Sequence, residues 1–178
     1  MIAAALALSL ATGQLTPEQL LKVNQERNEA NRGAMMVLNT WAAGNIAEGL
    51  SGWATAKDPE WRAFHQMNFL WNLVNLGLGV NGVIQTYSDP RAMDLTASRK
   101  ASADTQISYL VNFGLDFVYM TVAAILVGVG IKHDIPLLRG WGKSILIQAA
   151  FLALFDVALY FMNSSMGAPL RAGTNNVF

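Results

Sequence analysis

The chain contains no cysteine. This absence excludes disulfide bonds, thiolate nucleophiles and zinc sites built from cysteine. Charge is also scarce, because only 13% of the 178 residues are Asp, Glu, Lys or Arg, about half the share of an ordinary soluble domain. The twelve basic and twelve acidic residues cancel, so no basic excess predicts a nucleic-acid partner.

Signatures of catalysis are missing as well. The sequence has no Gly-x-Ser-x-Gly motif, no P-loop and no dinucleotide-binding glycine motif. Its two histidines, His65 and His133, have no recognisable metal-ligand spacing with each other or with Glu48. Haem ligation by both histidines is conceivable, but a hydrogen-bonded histidine near a membrane surface is the better interpretation. We therefore expect no enzyme activity, no metal and no other cofactor.

Apolar residues are abundant, at 53% of the chain. A membrane-spanning helix takes about 20 mainly apolar residues, and four windows are long and apolar enough: residues 33–55, 63–87, 108–131 and 141–163. Several tryptophans and tyrosines fall near the window ends, as is typical of membrane–water interfaces. The predicted fold is all-α, a four-helix transmembrane bundle. The alternative is a soluble four-helix bundle with an apolar surface.

The segments outside these windows are shorter or more polar. Residues 1–13 are apolar but too short to span, and they predict either a signal peptide or a short interfacial helix. Residues 14–32 predict an amphipathic helix solvated through charges such as Arg27. A capping box should start it, because Thr16 is followed by Pro17 and Gln19. Residues 164–178 predict a polar tail.

The polar side chains of each window fall on one helix face at 100° per residue. In the second window, three asparagines follow one another at spacings of four and three. The polar residues on these faces are Asn45 and Glu48; His65, Asn68, Asn72 and Asn75; Asn112, Asp116 and Tyr119; and Gln148, Asp156 and Tyr160. Four polar faces predict a bundle with a polar interior seam.

Depth along the helices divides these residues into two predicted clusters. Glu48 should meet the asparagines of the second window, with His65 nearer the membrane surface. Asp116 and Asp156 should lie in the other half of the bilayer, and their polar neighbours should be Asn112, Tyr119, Tyr160 and Asn163. Such clusters can hold membrane helices together, or they can form a proton or cation path. Structural bonding is the preferred interpretation, because four short helices leave little room for water.

Basic residues indicate an orientation. Five of them lie in or beside the two short connections between windows: Lys57, Arg62, Lys132, Arg139 and Lys143. The positive-inside rule gives most weight to short connections. We therefore expect these connections in the cytoplasm and both termini on the periplasmic side.

Three sequence runs, AFHQMNFLWNLVN, GLDFVYMTVAAILVGVG and GWGKSILIQAAFLALFDVALY, resemble an uncharacterised family of small four-helix bacterial membrane proteins. The resemblance covers residues 33–163. It implies a four-span protein of the bacterial inner membrane and implies no activity. The pair Gln148–Ala149 stands where the family pattern has Gln-Gly.

Three functions are compatible with these observations. The first is an accessory, structural subunit of a larger respiratory or photosynthetic membrane complex, with the lipid bilayer and other membrane subunits as partners. The second is a small oligomeric ion or proton conductor that uses buried Glu48, Asp116 and Asp156. The third is a bundle that binds a cofactor or a lipid.

Overall fold

A computed structural model describes residues 15–87, 90 and 93–172. All long regular structure in this part of the chain is helical, which confirms the predicted all-α class. The predicted signal-like segment, residues 1–13, lies outside the described residues. The helices are α1 (Pro17–Thr55), α2 (Pro59–Gln85), α3 (Leu95–Lys132), α4 (Pro136–Met166) and α5 (Ala168–Ala172).

Local sequence signals set where the helices begin. The predicted capping box is present, since Thr16 Oγ1 accepts from the Gln19 amide and Gln19 Oε1 accepts from the Thr16 amide. Asp58 and Asp94 cap α2 and α3 in the same manner, each accepting a backbone N–H of the first turn. These caps confine the connection between α1 and α2 to residues 56–58.

Two helices are longer than the windows that predicted them. α1 has 39 residues and joins the 14–32 segment to the first window without a break. α3 has 38 residues and includes residues 95–107, which precede the third window. At 1.5 Å per residue, each helix is about 58 Å long. That length is nearly twice the apolar thickness of a bilayer.

The additional turns of α1 and α3 pack on each other. Asn24 Nδ2 donates to Ser98 Oγ at 2.8 Å, and Arg27 Nη1 donates to the Ser98 carbonyl at 3.2 Å. Arg27 is only 6% exposed, so the expectation that this segment is solvated through its charges is wrong for Arg27. Burial lowers the pKa of its guanidinium. Part of the predicted polar tail is also helical, and Leu170 of α5 is buried.

The four long helices run alternately up and down. The connections 56–58 and 133–135 lie together at one end, called the turn end, and the end of α2 and the start of α3 lie at the other, called the loop end. α1 packs along α2, α2 packs against α4, and α4 packs along α3. In the described residues, α2 and α3 contact each other through the rings of Trp71 and Tyr119, but they pack less closely than the other neighbouring helices. The bundle is therefore loosely packed between α2 and α3.

Glycines bring the packed helices close together. A Cβ at Gly49 of α1 would lie 2.6 Å from the Phe69 amide nitrogen of α2. A Cβ at Gly142 of α4 would lie 2.6 Å from the Ala123 carbonyl oxygen of α3. Small residues at such positions are typical of close contacts between membrane helices.

Of the described helices, α3 and α4 are long and apolar enough to cross a membrane. α1 and α2, which contain the other two predicted windows, do not meet the same requirement. Their asparagines and charged residues lower the mean hydropathy. Two of the four predicted spans, α3 and α4, therefore suggest membrane association by length and composition.

Candidate functional site

Asn68 is the centre of the first polar cluster. Its Nδ2 donates to Glu48 Oε2 at 2.7 Å and to the Asn45 carbonyl at 3.3 Å. Its Oδ1 accepts from Gln148 Nε2 at 2.6 Å. Because these partners lie on α1 and α4, one buried amide of α2 holds three helices together. The contact between Asn68 and Glu48 is the one expected from helical spacing.

The cluster continues along α2 and across to α1. Asn72 Nδ2 donates to the Asn68 carbonyl at 2.8 Å, and Asn75 Nδ2 donates to Asn72 Oδ1 at 3.4 Å. Trp41 Nε1 donates to Gln148 Oε1 at 2.9 Å. Gln148 therefore belongs to this cluster rather than with Asp156, which shares its helix face. We refer to Asn45, Asn68, Asn72, Asn75 and Gln148 as the amide cluster.

Glu48 and His65 lie at the edge of the amide cluster. His65 Nδ1 and Glu48 Oε1 are 2.8 Å apart, which is within the distance of an ion pair when the imidazole is protonated. The Glu48 side chain is 51% exposed. The expectation of a buried Glu48 is therefore wrong. The carboxylate reaches the amide cluster from the lateral surface formed by α1 and α2.

Asp116 and Asp156 form the second cluster, called the aspartate pair. Both residues are buried, and their carboxyl groups are close enough to interact with each other. Asp116 Oδ2 has no hydrogen-bond partner among the described residues.

None of the amides and phenols expected around the aspartate pair is hydrogen-bonded to it in the described structure, although Asn112 and Tyr119 line the same cleft. Asn163 Nδ2 donates to Asn31 Oδ1 of α1 at 2.9 Å. Tyr160 packs against an apolar cluster that includes Tyr109. The Tyr119 ring meets the Trp71 ring edge-on at 5.0 Å. Asn112 is exposed on α3 and forms no hydrogen bond within the described part of the chain.

A cleft of about 910 Å³ is lined by all four long helices, on the side where α2 and α3 are loosely packed. It extends from the loop end down to the aspartate pair. Trp71 also lines the cleft, and its buried indole N–H has no acceptor in the described structure. Thus a donor and an acceptor, Trp71 Nε1 and Asp116 Oδ2, both lack partners in the wall of one cleft.

An ion-pair network joins the two connections at the turn end. Glu60 of α2 accepts hydrogen bonds from Lys143 and from Arg139 Nε, and Arg139 Nη1 also donates to Asp134 at 2.8 Å. The hydrogen bonds from Lys143 and Arg139 lower the pKa of the Glu60 carboxyl below its ordinary value of 4.5. The hydrogen bonds that Arg139 donates to Asp134 and Glu60 raise the pKa of its guanidinium.

Sequence reasoning overlooked Asn31, Trp71 and the buried polar residues near the start of α1. A signal for the α1 residues was present. Asn24, Arg27 and Asn31 stand three and four residues apart, and the same spacing continues through Ala34 and Leu38. One helix face therefore runs from the polar segment into the first window. Trp71 gave no comparable signal, because tryptophan is also common on apolar faces.

One known protein family matches the central part of the chain. The sequence model described as "Family of unknown function (DUF6992)" matches residues 37–157. The chain belongs to this family, which confirms the expected membership of an uncharacterised family. The matched region contains the aspartate pair and the amide cluster. Searches of curated proteins and of solved structures gave no match.

Proposed function

We propose that the protein is a non-enzymatic, four-span protein of a bacterial inner membrane and an accessory subunit of a larger membrane complex. In this proposal the turn end faces the cytoplasm and the loop end faces the periplasm. The partners are the lipid bilayer and other membrane-protein subunits. A respiratory or photosynthetic complex is the host to test first.

The distribution of side chains supports four spans rather than two. In α1 and α2, large apolar side chains such as Val37, Leu50 and Leu78 are exposed, whereas Asn68 and Asn72 are buried. A water-soluble bundle has the opposite arrangement, with leucine inside and amides outside. The hydrogen bonds of the amide cluster satisfy polar groups that would otherwise be costly in a bilayer.

The half-exposed Glu48 supports a protein partner. It lies seven residues before the end of α1, on the lateral surface of the bundle beside His65. A carboxylate that faces lipid is costly, and ionisable groups in membrane spans usually face protein or water. We infer that a helix of another subunit covers Glu48 and donates a hydrogen bond to it.

Extraction in a mild detergent tests this proposal. The native mass should exceed that of a single chain, and mass spectrometry should identify the same partner in repeated preparations. Glu48→Gln should reduce recovery of the partner, whereas Glu29→Gln, at an exposed position near the start of α1, should not. Migration of the wild-type protein only as a free small particle would contradict the proposal.

Proton or cation conduction is a second candidate, because the aspartate pair lines a cleft that extends to the loop end. Glu48 lies outside this cleft lining. In reconstituted vesicles, Asp116→Asn and Asp156→Asn should each abolish a proton flux. Glu29→Gln, at an exposed residue outside the cleft lining, should preserve it. Flux that survives both substitutions in the pair would rule out this candidate.

A further inference from the structure

The cleft has the size and wall chemistry of a ligand site. Its volume, about 910 Å³, is at the upper end of the range for small-molecule pockets. Each of the four long helices contributes apolar side chains to the wall. They are Met35 and Leu38 of α1, Leu78 of α2, Leu115 of α3, and Leu152 and Phe155 of α4. Because α2 and α3 are loosely packed in the described residues apart from the ring contact between Trp71 and Tyr119, an apolar molecule could enter sideways from a bilayer.

Two buried polar groups in the wall lack protein partners. The Trp71 indole N–H has no acceptor, and Asp116 Oδ2 has no donor, among the described residues. Asp116 is only 3% exposed. Buried polar groups in native proteins are nearly always hydrogen-bonded, so these two atoms indicate a missing partner that can both accept and donate.

The face of α3 that lines the cleft points to the same kind of partner. Ser108 and Asn112 are exposed there, and neither makes a side-chain hydrogen bond to any described residue. Both are donors and acceptors. In a bundle surrounded by lipid, a polar stripe beside an open cleft needs a polar occupant.

The charges around the cleft restrict the chemistry of this occupant. The aspartate pair would repel a carboxylate or phosphate head group. An ammonium group could donate to Asp116, but it would leave the Trp71 N–H unpaired. A hydrocarbon chain would leave both atoms unpaired. A hydroxyl group can donate to Asp116 Oδ2 and accept from Trp71 Nε1.

We propose that the cleft binds one uncharged amphiphile that carries a hydroxyl group. Its hydroxyl lies near Trp71 and the aspartate pair, and its apolar body lies between α2 and α3. The hydroxyl can belong to a lipid-soluble alcohol or to the ring of a hydroquinone. This inference rests on the proposed membrane placement and is independent of the partner complex.

Equilibrium binding to the purified full-length protein in detergent tests the proposal. The probes are farnesol, a C15 isoprenoid alcohol, and a decyl-substituted hydroquinone. The matched controls are farnesyl methyl ether, which cannot donate a hydrogen bond, and palmitate, which is anionic. At least one hydroxyl probe should bind saturably at one molecule per chain, and neither control should compete with it. The probe that binds more tightly identifies the source.

Substitutions locate the binding. Trp71→Phe keeps the ring but removes the N–H donor, and it should weaken binding roughly three- to tenfold. Trp53→Phe, outside the cleft lining, should leave binding unchanged. Leu115→Trp should fill the cleft and abolish binding. Leu110→Trp, at an equally exposed position of α3 that does not line the cleft, should have no effect.

Three results would overturn the proposal. The first is the absence of saturable binding by both hydroxyl probes. The second is binding of the methyl ether or palmitate as tightly as of the hydroxyl probes. The third is unchanged binding in Leu115→Trp when its elution volume and helix content match those of the wild type. Because the purified single chain is sufficient, these results are distinct from failure to recover a partner complex.

Discussion

At the scale of single residues, the amide of Asn68 is the most consequential side chain of the bundle interior. It accepts from Gln148 and donates to Glu48 and to the Asn45 carbonyl. Removing it would take the shorter of two hydrogen-bond acceptors from Gln148 Nε2, which is 1% exposed, and a donor from Glu48. A buried polar group that loses a partner costs more than the hydrogen bond itself, because water cannot replace that partner.

We therefore expect Asn68→Ala to lower the free energy of unfolding by about 2–3 kcal/mol. The matched control is Asn81→Ala, on the same helix, where the asparagine is exposed and has no hydrogen bond to a described residue. Thermal unfolding in detergent, followed by circular dichroism, provides the comparison. Equal unfolding temperatures for the two variants would contradict the structural role of Asn68.

Glu60 should make the stability of the turn end depend on pH. Its pKa is lowered in the folded protein, so its stabilising effect is complete above the ordinary carboxyl pKa and is lost as the pH falls through the lowered value. Glu60→Gln should therefore unfold at a lower temperature than the wild type at pH 7. The difference should disappear in acid.

The control for this prediction is Glu29→Gln, at an exposed position of α1. Thermal unfolding of the wild type and both variants is measured in one detergent between pH 7 and pH 3. A difference between the wild type and Glu60→Gln that stays constant over this range would show that the ion-pair network with Lys143 and Arg139 does not stabilise the fold.

At the scale of helices, the buried positions follow a heptad. In α3 they fall seven residues apart, at Ser102, Tyr109, Asp116, Ala123 and Gly130. Residues 142, 149, 156 and 163 of α4 are buried at the same spacing. A strict seven-residue repeat is typical of left-handed coiled packing. Here small and polar residues occupy most of the repeat, and they allow close contact between the helices.

Alanine substitutions at two glycines test this packing, because they should change the free energy of unfolding in opposite directions. A Cβ at Gly142 would lie against the Ala123 carbonyl of α3, whereas one at Gly128 would meet nothing within 4 Å. Gly128→Ala should raise the free energy of unfolding by up to about 1 kcal/mol, because alanine is the better helix former. Gly142→Ala should lower it by about 1–3 kcal/mol, because α3 and α4 must move apart. The same sign for both variants, measured by thermal unfolding in detergent, would contradict the close contact.

Helical periodicity predicted which face of each helix is polar, but it did not predict the neighbour of that face. The contact of Asn68 with Glu48 followed from spacing and depth. The exposure of Glu48 did not follow from spacing and depth, because it depends on how α1 and α2 are rotated against each other. Likewise, Asn112 and Asp116 share a face of α3 and both line the cleft, yet Asn112 is exposed whereas Asp116 is buried. Such choices depend on contacts between distant parts of the chain.

At the scale of the whole molecule, the ion pairs between Glu60 and Arg139 place both short connections at one end of the bundle. Four spans then require residues 56 and 134 to lie on the same side of the membrane. If only α3 and α4 cross the membrane, residue 56 lies on the same side of the membrane as residue 165. Residue 134 then lies on the opposite side. The number of spans is therefore decided by the side on which residue 56 lies.

Labelling of single cysteines measures this directly, because the chain has no cysteine of its own. The variants are Ala56→Cys, Asp134→Cys and Ser165→Cys, treated with a membrane-impermeant maleimide before and after the membrane is permeabilised. We predict that residue 165 is labelled in intact spheroplasts, whereas residues 56 and 134 are labelled only after permeabilisation. Labelling of residue 56 together with residue 165, on the side opposite residue 134, would contradict the four-span bundle.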